Sequence, residues 1–70
     1  MTNGQALKEV IDESGVSIVY LSRKMECSRN RIYAILKGAD CTANEIVLFC
    51  ELLHLSKQQR DYIFLHENVN

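Results

Sequence analysis

The sequence predicts an all-α protein, a compact five-helix bundle forming a single domain over residues 1–70. Three observations carry that expectation. Apolar residues recur three and four positions apart, and no stretch alternates with period two for long enough to make a strand. A capping residue stands ahead of most of the apolar segments. The composition, 47% hydrophobic with no proline and only three glycines, suits a packed helical core and not a disordered tail. A domain of this size buries only about 60% of its unfolded surface, so each apolar face has to be used.

The first helix places Leu7, Val10 and Ile11 on one face and Lys8, Glu9, Asp12 and Glu13 on the other. Gly15 ends it, because glycine adopts the left-handed conformation of a helix stop at little cost. Ser17 caps a short second helix carrying Leu21 and Met25. Ser28 caps a third, from about Arg29 to Lys37, with Ile32, Ile35 and Leu36 inward and Gly38 closing it. Thr42 and Glu45 have the spacing of a capping box and open a fourth helix, whose stripe is Ile46, Phe49, Cys50 and Leu53. Ser56 and Gln59 repeat the box for a fifth helix bearing Tyr62, Ile63, Phe64 and Leu65.

Charge is uneven along the chain. Ser22 to Gly38 holds five bases against one acid, a net +4, whereas the remainder holds three bases against eight acids, a net −5. The chain lacks the overall basicity of many nucleic-acid binders but has a concentrated basic patch, which is enough for phosphate contact. Three cysteines without CxxC spacing point away from a secreted disulfide scaffold and toward a reducing cytoplasm. The polar N-terminus MTNGQALKEV has no apolar signal core, and the apolar run Ile46 to Cys50 is far short of the roughly 20 residues that span a membrane.

The most informative unit is Ser17 to Gly38, SIVYLSRKMECSRNRIYAILKG. It reads as two short helices joined by a tight turn. Small Ser22 sits where they approach, and Leu21, Met25, Cys27, Ile32 and Ile35 face inward to fix their angle. This is the demand of a helix-turn-helix, whose first helix crosses the DNA backbone while the second enters the major groove.

These residues resemble the Cro/repressor-type (XRE) helix-turn-helix proteins of phages and bacteria. The family's pattern runs serine-glutamine-x-x-leucine-alanine, then an apolar-glycine-valine-serine step, a later isoleucine and a closing glycine. Here Ser17-Ile18-Val19-Tyr20-Leu21-Ser22, Met25-Glu26-Cys27-Ser28, Ile32, Ile35 and Gly38 answer it. The resemblance covers the whole chain and implies the lambda repressor-like fold, five helices with the motif in the second and third. Two positions depart from it. Ile18 replaces the family's phosphate-contacting glutamine, and Glu26 replaces the turn glycine, a strain of roughly 1 kcal/mol in a left-handed position.

The function this implies is a sequence-specific DNA-binding regulator acting by occupancy. Arg29 is expected to pair with guanine and Asn30 with adenine, each worth about 1–3 kcal/mol of discrimination, with Tyr33 one turn further along the same face. Ser17, Ser28, Arg31 and Lys37 are expected on phosphates, with Arg23 and Lys24 adding electrostatics. The bland rival for this patch is a merely solvated basic face. A protein-interaction module of the same fold, an antirepressor or antitoxin-like adaptor with little DNA binding, is the alternative, favoured by the net negative charge and by Ile18.

Four consecutive large apolar residues in the tail, Tyr62 to Leu65, cannot all face one core stripe. Tyr62, Phe64 and Leu65 are therefore candidates for a homodimer contact, with Ile18 and Val19 as further exposed apolar positions. Cys50 and His54 have an i, i+4 spacing able to grip zinc with Cys27 or Cys41, but no second ligand pair accompanies them, so no metal or cofactor is expected. No nucleophile-base or paired-carboxylate arrangement points to an enzyme.

Overall fold

A computed structural model describes residues 1–65, and among these every regular element is helical. In chain order they are α1 (Gly4–Ser14), α2 (Ile18–Lys24), α3 (Arg29–Leu36), α4 (Ala43–Leu53) and α5 (Lys57–Arg60). The chain continues directly from α5 into a wider π-helical segment, Asp61–Leu65. No helix among the described residues is long and apolar enough to cross a membrane.

The caps behave as their side chains require. Asn3, Ser17, Ser28, Thr42 and Ser56 each accept a bond from an orphan N–H in the first turn of the helix that follows. Both capping boxes form, with Glu45 and Gln59 returning a bond to the cap residue's own N–H. Gly15 ends α1 with φ 78°. His54 ends α4 in the same left-handed region, φ 54°, although it carries a side chain.

Leu7, Ile11, Leu21, Met25, Ile32, Ile35, Phe49, Leu53, Ile63 and Phe64 make one buried core, so every helix but α5 contributes to it. The tail resolves its crowding through π geometry. Ile63 and Phe64 are both buried, Phe64 stacking on Phe49 with ring centroids 5.9 Å apart, while Tyr62 and Leu65 are left at the surface. Phe64 is thus a core residue and does not offer its ring to a partner, a correction to the expectation for that position. The Asn3 N–H donates to the Ile63 carbonyl at 2.7 Å, joining the start of α1 to this last segment.

Candidate nucleic-acid interface

The region expected to carry function is built as two short helices locked from within. Leu21 and Met25 of the first and Ile32 and Ile35 of the second are buried together. Ser22 is buried on α2, and its hydroxyl donates to the Val19 carbonyl at 2.8 Å. The Cys27 N–H donates to the Ser22 carbonyl at 3.0 Å and closes the turn. Glu26 holds the turn's left-handed position, φ 54°, where the sequence places it.

Burying Ile32 and Ile35 determines what α3 shows to solvent. Arg29, Asn30, Tyr33 and Lys37 are exposed, at the spacing of one helical face. Ser28 is exposed at the cap, its hydroxyl oxygen accepting the Arg31 N–H at 3.1 Å. Ser17 does the same for Tyr20 at 2.9 Å. Arg23 and Lys24 are exposed at the end of α2, with the Lys24 ammonium 5.8 Å from the centre of the Tyr20 ring, a cation–π distance.

Four of the expected contact residues, Ser17, Asn30, Tyr33 and Lys37, line one open groove of about 940 Å³ between α1, α2 and α3. Its floor is apolar, from Ile11, Val16, Ile18, Ala34 and Leu36, and Lys8 and Asp12 complete the rim. Ile18 is half-buried in this floor and so is not one of the exposed apolar positions expected of a dimer contact. The groove is not legible in the sequence because its walls come from three helices.

Arg31 lies differently from the other bases. Its Nε donates to Glu45 Oε2 at 2.9 Å and its Nη2 to Glu45 Oε1 at 2.8 Å, so the guanidinium expected on a phosphate is engaged by a carboxylate. Nη2 also donates to the Asp40 carbonyl at 2.8 Å. The Arg31 guanidinium holds the Glu45 carboxyl down to about 2, helped by bonds from Thr42. The Thr-x-x-Glu spacing shows Glu45 as a cap but carries no sign of its second partner fourteen residues away.

The thiols of Cys27, Cys41 and Cys50 are each pushed up from the ordinary value, chiefly by burial, which disfavours the thiolate a soft metal needs. Among the described residues no group of three or more His, Cys, Asp or Glu side chains comes together as a metal site. Comparison with protein-family models, with curated proteins and with solved structures finds no match for this chain.

Proposed function

We propose that this chain is a sequence-specific DNA-binding transcriptional regulator of the phage repressor or Cro type, reading the major groove with α3. One observation carries the reading. A capped helix turns Ile32 and Ile35 into the core and presents Arg29, Asn30 and Tyr33 outward, beside exposed Ser17, Ser28, Lys37, Arg23 and Lys24. Arginine and asparagine offer paired hydrogen bonds to guanine and adenine edges, and the surrounding hydroxyls and cations suit phosphates. The protein acts as a homodimer through the surface around Tyr62 and Leu65, with two-fold symmetry placing two reading helices about 34 Å apart on a pseudo-palindromic site.

Selection of bound duplexes from a random pool tests this directly. The expected result is a preferred sequence with two half-sites about one helical turn apart. Arg29→Ala combined with Asn30→Ala should abolish the preference while leaving the fold intact, since both side chains are exposed. Unchanged preference in that variant rules out α3 as the reader.

A second reading, a module that binds another protein, draws support from the apolar floor of the groove beside Asn30 and Tyr33. A salt titration separates the two. Binding through several phosphates loses orders of magnitude in affinity between low and moderate salt. No DNA binding even at low salt favours the protein partner.

A further inference from the structure

Arg31 stands in the first turn of α3, within two residues of both Arg29 and Asn30, yet its charge is directed the other way. Two parallel bonds to Glu45 and a third to the Asp40 carbonyl use both its Nε and Nη2. Glu45 Oε1 also accepts the Thr42 N–H at 2.9 Å. One carboxylate therefore closes the cap of α4 and grips the start of α3. The pair is partly withdrawn from water, with side chains 34% and 16% exposed, so it is screened less than an ion pair on an open surface. A phosphate brought to Arg31 would meet a guanidinium whose fork already holds a carboxylate, and would approach a charge of its own sign.

Resting on the DNA-binding reading above, we infer that Arg31 and Glu45 are a positioning pair that sets how α3 presents Arg29 and Asn30, and that Arg31 is not a phosphate anchor. α3 is eight residues long and packs against α1 and α2. Ile32, buried in the core, holds one side of its first turn, and beyond the Ser28 cap this pair and the Asp40 carbonyl hold the polar side. Loss of the fork lets that turn shift, and base-edge contacts, which need two aligned hydrogen bonds each, suffer before non-directional phosphate attraction does. The pair thus contributes to discrimination between sequences, while the phosphate-facing charge of the motif comes from Arg23, Lys24 and Lys37.

Two conservative substitutions distinguish a positioning pair from an anchor, measured as binding to the selected duplex and to a random duplex. Glu45→Gln keeps a side chain that completes a capping box, and Arg31→Lys keeps the charge but loses the fork. The expected result in each is a ratio of selected to random binding reduced about tenfold, equal to about 1.4 kcal/mol, with random-duplex binding undiminished and cooperative melting retained. An anchor behaves differently. Glu45→Gln would then release Arg31 and strengthen binding to both duplexes alike, and Arg31→Lys would leave both near wild type; either outcome overturns the inference. A wild-type chain that prefers no sequence at all overturns the DNA reading and this inference together. Preference in the wild type with an unchanged ratio in both variants overturns the inference alone.

Discussion

The carbonyl oxygen of Leu36, at the end of α3, occupies the space in which a Cβ on Gly4 would stand. Gly4 is buried in the first turn of α1, so the start of α1 rests directly on the backbone of the helix proposed to read DNA. A helix backbone cannot give way as the end of a flexible side chain can.

Gly4→Ala is therefore expected to destabilise the protein by about 3 kcal/mol, read as a lower urea midpoint. Gly15→Ala is the control. Its φ of 78° is strained for alanine, but nothing lies within 4 Å of the added carbon. It should cost only about 1 kcal/mol. Equal effects at the two sites would remove close packing as the reason for Gly4.

Glu26 and His54 both stand at φ 54°. Glycine at either position relieves the clash of Cβ with the following carbonyl, less the entropy of a freer unfolded chain. Glu26→Gly should raise stability by about 1 kcal/mol in thermal or urea unfolding. A loss on that substitution would mean that the Glu26 side chain makes a stabilising contact of its own.

The Arg31–Glu45 pair makes stability fall in acid. The folded carboxyl sits near 2, below its ordinary 4.5, so the folded state binds the proton less readily than the unfolded chain. That contribution is complete above pH 4.5 and disappears as pH falls through about 2. Urea midpoints followed across this window should decline, and in Glu45→Gln the decline should be shallower. An equally steep curve in the variant would assign the acid sensitivity to other carboxylates.

Self-association should involve the surface and not the core of the tail. Tyr62 and Leu65 are 62% and 39% exposed, whereas Phe64 is 6% exposed. In sedimentation at micromolar concentration, Leu65→Asp and Tyr62→Glu are expected to yield a folded monomer. Phe64→Ala should instead unfold the protein at lower denaturant, with a cost of about 3–5 kcal/mol. A wild-type chain that is monomeric throughout that range refutes the proposed dimer.

How legible each feature was depended on the range of the interactions behind it. Ser17, Ser28, Thr42 and Ser56 act on N–H groups within three residues, so their helix starts could be read directly. Ile32 and Ile35 repeat at helical spacing and reach 0% exposure, so the outward direction of Arg29, Asn30 and Tyr33 could be read as well. Arg31 could not, because a base beside two exposed polar residues looks like one of them until Glu45 is brought to it.

The sequence by itself determined the all-helical class, the starts of α2 to α5 and the inward and outward faces of α3. Each of these follows from hydrogen bonding and periodicity within a few residues, whereas the left-handed position of Glu26 was implied by the resemblance alone. Only the tertiary structure decided that Gly4 is required by the Leu36 carbonyl, that Phe64 stacks on Phe49, and that an apolar groove runs beside Asn30 and Tyr33. It also turned Arg31 toward Glu45. These depend on which distant backbones and charges meet when the core closes, and local spacing carries no record of that.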